Sequence, residues 1–187
     1  MSFSLEAAKR RIRPQRRAGR LTPRSEGELP FADQLTLDAR PLLLDTCVYI
    51  DQLQRRSPPA VERLLRNGVF NHSAVCLAEL THLIGALDPA RIDTRLAQRE
   101  IEGTIDDIPP HRLTAPSDRA FGESGMLAGL VTRLAGERRP RALQNDALLY
   151  LHALERGFII LTRNIRDFDF FDQLLPSGRV LFYRRTD

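Results

Sequence analysis

Apolar and polar positions alternate along this chain between two periods. Uninterrupted apolar runs at Leu42-Leu43-Leu44 and Phe158-Ile159-Ile160-Leu161 have the length and continuity of strands buried on both faces. Val69-Phe70-Asn71 and Val180-Leu181-Phe182-Tyr183 predict two further strands, and residues 112–115 a brief strand or loop. Between these runs the apolar positions recur at helical spacing. Helices are predicted over 49–56, 60–66, 74–87, 90–108, 118–134 and 141–155. In the third of these, Val75, Leu77, Leu80, Leu83, Ile84 and Leu87 form an apolar stripe, with Ser73 as cap and Asp88-Pro89 as stop. Gly157 ends the last.

Strands that alternate with helices call for a mainly parallel sheet covered on both faces, an α/β protein. Residues 1–40 stand outside this alternation. Residues 4–13 have room for one or two helical turns before Pro14, Gly19 and Pro23 interrupt. The chain therefore divides into an N-terminal extension, 1–40, and an α/β domain, 41–187.

Composition sharpens that division. Of 187 residues, 42% are hydrophobic and 28% charged, ordinary values for a globular protein with a full core. No apolar run reaches membrane-spanning length and no signal peptide opens the chain, so a cytoplasmic protein is expected. Two cysteines, Cys47 and Cys76, make neither a disulfide framework nor a cysteine metal cluster. The extension holds nine basic and five acidic residues, a surplus equal to the +4 of the whole chain. Three readings of it compete: a solvated arm, a basic arm on nucleic-acid phosphates, and an arginine-rich transit peptide.

Candidate chemistry rests on acids. Asp45 follows the first strand directly, at the sheet edge where open α/β folds bind ligands. It either caps the next helix or serves a cation. Glu79 interrupts an apolar helix, and Asp146 precedes Ala147-Leu148-Leu149 in another. Each has a plainer reading, as a helix-surface acid or a first-turn residue favoured by the helix dipole. Asn164 and Asp167 follow the third long strand, where both also suit a turn. Neighbouring strand ends would bring Asp45 to the 164–167 segment, and flanking helices would add Glu79 and Asp146. Clustered carboxylates raise one another's pKa unless a hard cation sits among them. Mg²⁺ or Mn²⁺ suits oxygen ligands, whereas scattered histidines at 72, 82, 111 and 152 do not suggest zinc. Such a centre suits phosphodiester hydrolysis.

Other chemistries fail on single positions. A haloacid-dehalogenase-like phosphatase needs a second aspartate where Cys47 stands. Gly122-Glu123-Ser124-Gly125-Met126 lacks the closing glycine of a nucleophile elbow. There is no phosphate-binding loop, and Lys9 is the only lysine.

Four segments in order, 42–51 (LLLDTCVYID), 73–80 (SAVCLAEL), 144–157 (QNDALLYLHALERG) and 161–169 (LTRNIRDFD), resemble the PIN-domain ribonucleases, the fold of VapC-type toxins. The resemblance spans about residues 41–184. It implies a three-layer α/β/α fold and Mg²⁺- or Mn²⁺-dependent cleavage of single-stranded RNA. It also implies a homodimer and a cognate antitoxin that blocks the acidic pocket. Asp45, Glu79 and Asp146 match the family's three acidic metal positions. The fourth falls to Asn164 or Asp167, and Thr162 matches the hydroxyl residue of that turn. Asp45, Glu79, Asp146 and Asp167 are the expected catalytic residues, with Asn164 as a further metal ligand. Cys47 replaces the family's more usual Asn or Ser, which predicts a weaker hydrogen bond near Asp45. A PIN-like module that binds RNA or protein without cutting, or a non-toxin RNA-processing nuclease, are the alternatives. Arg163 and Arg166 are candidate phosphate contacts.

Overall fold

A computed structural model of the chain describes residues 3–34, 41–136, 140–176 and 179–186. Five parallel strands form one sheet in the order β3-β2-β1-β4-β5: β1 Leu42–Leu44, β2 Phe70–Ser73, β3 Leu113–Thr114, β4 Ile159–Thr162 and β5 Val180–Phe182. The all-parallel arrangement follows from the helix placed between nearly every pair of consecutive strands. Every residue of β1, β4 and β5 is buried. Successive side chains of a strand point to opposite faces, so the sheet is covered on both. This is the α/β architecture expected from the runs.

The helices among the described residues are α1 Leu5–Ile12, α2 Thr46–Leu53, α3 Pro59–Asn67, α4 Ala74–Ala86, α5 Ile92–Asp106, α6 Asp118–Ala135, α7 Pro140–Arg156 and α8 Ile165–Leu174. Helices α6, α7 and α8 pack on one another, with α1 outside α6, while α2, α4 and α5 form a second group. Two boundaries differ from expectation. Helix α2 starts at Thr46, directly after the strand, rather than at Tyr49. Residues 165–174 form a helix where a turn was expected, because Phe168, Phe170, Phe171 and Leu174 bury an apolar side there.

Register fixes the edge that matters. Leu44 lies beside Leu161 and Thr162 beside Phe182, so β1, β4 and β5 end nearly level. Asp45 and the 162–167 segment therefore emerge side by side.

The N-terminal segment is a strap, not a solvated arm. Ala8 and Ile12 of α1 are buried on the body, as are Leu29 and Phe31 further along. The amide of Ala32 donates to the carbonyl of Phe182 and the amide of Phe182 to that of Pro30, each at 2.8 Å. The strap thus pairs with the outer side of β5 and covers a sheet edge that would otherwise be open. Arg24 reaches Asp169 at 2.5 Å and Asp172 at 2.9 Å, and Arg11 pairs with the buried Glu123. The boundary expected at residue 40 lies outside the described residues.

Candidate active site

Asp45 occupies the N-cap position of α2 but its side chain makes no capping hydrogen bond. Its Oδ2 instead accepts from the Thr162 hydroxyl at 2.5 Å and from the Cys47 thiol at 2.9 Å. The hydrogen bond expected near Asp45 is thus made by a thiol, a weaker donor than the hydroxyl or amide it replaces. The thiol stays protonated, pushed up by burial and by the Asp45 charge, and donates in place of a hydroxyl or amide. Thr162 in turn accepts from the Asn164 amide N–H at 2.9 Å, which draws the end of β4 around Asp45.

Two further elements supply the remaining acids. Glu79, on α4, accepts from Thr46 at 2.5 Å and from the side chain of Asn145 at 2.9 Å. Asp146 follows Asn145 on α7 and accepts from Asn164 Nδ2 at 3.0 Å. The same Nδ2 donates to Asp167 at 3.0 Å, so one amide bridges two carboxylates. Asn164 Oδ1 accepts the Asp167 amide as the cap of α8, which fixes the way the side-chain amide faces. As placed here, Asn164 presents a donor to the acids rather than its oxygen. Glu79, Asp45, Asp146, Asn164 and Asp167 thus lie at one edge, linked through Thr46, Asn145 and Thr162.

Electrostatics follow from that crowding. Burial, and then the charges of Asp45, Asp167 and Glu79, push Asp146 up to about 9. Asp45 is likewise raised, by burial first and by Glu79 in addition, against the lowering pull of its Cys47 and Thr162 bonds. Among the described residues no Lys, Arg or His pairs with Asp45, Glu79 or Asp146. Nor are three His, Cys, Asp or Glu side chains there already gathered as metal ligands. The donor set is nevertheless all oxygen and rich in negative charge, which suits a hard divalent cation.

Sequence reasoning gave no role to Thr46 or Asn145, which hold Glu79, although each adjoins a candidate acid in the chain. It also missed Asp51. This carboxylate is fully buried and accepts from Tyr183 and from Arg163 Nε, each at 2.8 Å. Arg163, expected to contact phosphate, is tied to Asp51 through that nitrogen, with its side chain still about one-third exposed at 35%. A groove of about 610 Å³ adjoins Glu79 between α2, α4 and the start of α7. Thr46, Glu79, His82 and Asn145 line its polar side, and Ile50, Leu83 and Ala142 the apolar one. His152, on α7, packs in the interior between the hydroxyls of Ser73 and Thr114 and takes no part in the acidic edge.

No protein-family model matches the chain, and no curated protein does. Solved structures do. VapBC2 from Rickettsia felis, bound to a DNA fragment from its promoter, aligns over 75% of this chain and 96% of its own at TM-score 0.52 and 17% identity. DNA-bound VapBC from Salmonella typhimurium aligns over 75% and 96% at TM-score 0.53 and 20% identity. FitAcB from Neisseria gonorrhoeae does so over 76% and 96% at TM-score 0.53 and 18% identity. The chain has the PIN-domain fold. In this fold Asp45, Asp146 and the 162–167 segment meet at the ends of β1 and β4. No described helix of this PIN fold is long and apolar enough to cross a membrane.

Proposed function

We propose that this protein is a Mg²⁺- or Mn²⁺-dependent endoribonuclease acting on single-stranded RNA, and the toxin of a toxin–antitoxin pair. The observation that carries the reading is the electrostatics of the acidic edge. Three carboxylates from three elements lie at one edge with no basic partner among the described residues, and burial first, with the neighbouring carboxylate charges in addition, holds Asp146 protonated well above its ordinary range. Such crowding costs stability, and carboxyls with strongly raised pKa values cluster at functional sites. Asp45 and Asp146 would hold the metal, Glu79 would hold it directly or through water, and Asp167 would complete the shell. Asn164 keeps Asp146 and Asp167 apart and aligned.

A bound divalent ion supplies charge neutralisation at the scissile phosphate and an acidified water. The chain's own residues do the positioning. Thr162 and Cys47 hold Asp45, and Thr46 and Asn145 hold Glu79, so both carboxylates face the substrate in fixed orientations. Glu79 orients the attacking water and takes its proton. The water oxygen bonds to phosphorus as the bond to the 3′-oxygen breaks, and that oxygen takes a proton from solvent, leaving a 5′-phosphate and a 3′-hydroxyl.

The toxin assignment is supported by the fold shared with VapBC and FitAcB proteins. The groove beside Glu79 offers an apolar wall next to a polar one, which fits a partner segment that brings a basic side chain to Glu79. A homodimer and a cytoplasmic location belong to the same reading. The test is cleavage of a mixed single-stranded RNA pool with Mg²⁺ or Mn²⁺. Wild type cuts, and Asp146→Asn, folded to the same melting standard, does not. A wild type that stays inert with either metal would leave a binding module in place of the enzyme.

A further inference from the structure

The strap carries a charge pattern that the acidic edge does not explain. Between residues 3 and 24 it has Lys9, Arg10, Arg11, Arg13, Arg16, Arg17, Arg20 and Arg24 against one acid, Glu6. Three of these are neutralised: Arg10 by Glu6, Arg11 by Glu123, and Arg24 by Asp169 and Asp172. Lys9, Arg13, Arg16, Arg17 and Arg20 pair with no carboxylate among the described residues.

The backbone gathers several of these cations. Arg13 adopts a left-handed conformation, φ 55, and Pro14 follows it, so the chain reverses at the end of α1. Lys9, Arg10 and Arg13 then face Gln15 and Arg16 across a hollow of about 530 Å³ in which Glu6 is the sole lining acid. Arg133 of α6 pins the reversal by donating to the carbonyls of Pro14 at 3.1 Å and Arg17 at 3.0 Å. Surface charge of this kind is ordinarily just solvated. Here, however, the remainder of the chain balances to zero and the whole excess lies on the strap. Its like charges face one another across a concave turn held by Pro14 and Arg133, a geometry that favours an anion.

We propose that this face is a docking surface for the phosphate backbone of RNA, separate from the acidic edge. The inference rests on the ribonuclease reading. A neighbouring hollow is lined by Arg11, Arg13 and Arg17 of the strap together with Leu154 of α7. Leu154 is two turns along α7 from Asp146, about 12 Å at 1.5 Å per residue. RNA longer than the cleaved segment would therefore reach the strap while its scissile bond lies among the acids. Arginine forks suit phosphate oxygens better than a simple point charge does. Of the apolar residues of α1, Ala8 and Ile12 are turned into the body and Leu5 is exposed, so vesicles serve as a control in the test.

The test is fluorescence anisotropy in EDTA, which prevents cutting, with a labelled single-stranded RNA of about 30 nucleotides at several salt concentrations. Wild type is compared with a strap triple, Lys9→Gln with Arg13→Gln and Arg16→Gln, and with a charge-matched triple on α5, Arg91→Gln with Arg95→Gln and Arg99→Gln. Melting curves check that both triples fold. The strap triple is expected to bind about tenfold more weakly, with a salt slope shallower by about two, from three contacts at about 0.7 each. The α5 triple should stay within about twofold, and metal-dependent cutting of an RNA of about six nucleotides, too short to span the two sites, should be unchanged in the strap triple. Equal losses in both triples, no loss in either, or tighter binding of wild type to phosphatidylglycerol vesicles than to RNA would overturn the surface. Strap-dependent binding by a wild type that never cuts would keep the surface and overturn the nuclease.

Discussion

Two sets of carboxylates in this molecule, one buried and one buried or half-buried, have been solved in opposite ways. Asp51, Glu123 and Asp169 are buried, and each meets an arginine: Arg163, Arg11 and Arg24 respectively. Asp45 is buried too, and Glu79 and Asp146 half-buried, yet among the described residues these three meet only hydroxyl, thiol and amide donors. An arginine removes the penalty of a buried negative charge, whereas crowded carboxylates add to it. Burial of an acid is thus no mark of function in this protein. What separates the two sets is whether a positive partner has been built in or left to come from outside.

The largest effect expected of this contrast is catalytic. Asp45→Asn should lower metal-dependent RNA cleavage by about a thousandfold or more, from loss of a directly acting charge, while its melting temperature holds or rises. Arg24→Met should do the reverse. It leaves Asp169 buried without its cation, at a cost of about 3 kcal/mol, which at 2–4 °C per kcal/mol is a fall of about 6–12 °C. Cleavage per folded molecule should remain. Calorimetry beside a cleavage assay reads both, and a destabilised Asp45→Asn would erase the distinction between the two sets.

A smaller effect follows from Asp146 alone. Its carboxyl titrates near 9 in the folded, metal-free protein against an ordinary 3.8. The folded state therefore keeps a proton that the unfolded state releases. Stability from this group is complete below about 4 and is lost as pH rises toward 9. Asp146→Asn, which cannot ionise, should melt at about the wild-type temperature at pH 4 and about 5 °C or more above it at pH 8 without metal. Mg²⁺ or Mn²⁺ at pH 8 should raise wild type and leave the variant nearly unmoved. A wild type indifferent to metal would sink the cation assignment while leaving the fold untouched.

How much of this was legible in the sequence differs between backbone and side chains. The runs 42–44 and 158–161 disclosed the central strands because a strand buried on both faces has no polar alternate positions. Adjacency of β1 and β4 then placed Asp45 by the 162–167 segment. The bridging amide of Asn164 was not legible, since Asn reads as a turn residue whether or not it spans two acids. Helix α8 was missed because IRDFDFFDQL reads as charge-broken until Asp167 and Asp169 are seen to be buried, Asp169 against Arg24 from the strap. The strap itself looked solvated for the same reason. Its anchors Ala8, Ile12, Leu29 and Phe31 are few and widely spaced, and each finds its partners far along the chain.

The smallest effect isolates burial from charge crowding on one helix. His152 lies inside α7, six residues after Asp146, fully buried between Ser73 and Thr114. Burial pushes its pKa down to about 4, the attraction of Glu155 notwithstanding. The unfolded state therefore takes up a proton below about 6.5 that the folded state refuses, so stability from the neutral ring is present at pH 7 and is lost as pH falls toward 4. His152→Gln keeps a side chain able to donate and accept but removes the titration. It should be less stable than wild type at pH 7 by about 1 kcal/mol, the worth of a strained hydrogen bond, with the gap closing by about pH 5. For Asp146→Asn the gap opens in the other direction, at alkaline pH. Melting temperatures of wild type and both variants from pH 4.5 to 9 separate the two. An acid limb that disappears with Asp146→Asn, or an alkaline limb that disappears with His152→Gln, would mean that α7 responds to pH as one coupled unit rather than through a buried ring and a crowded carboxyl.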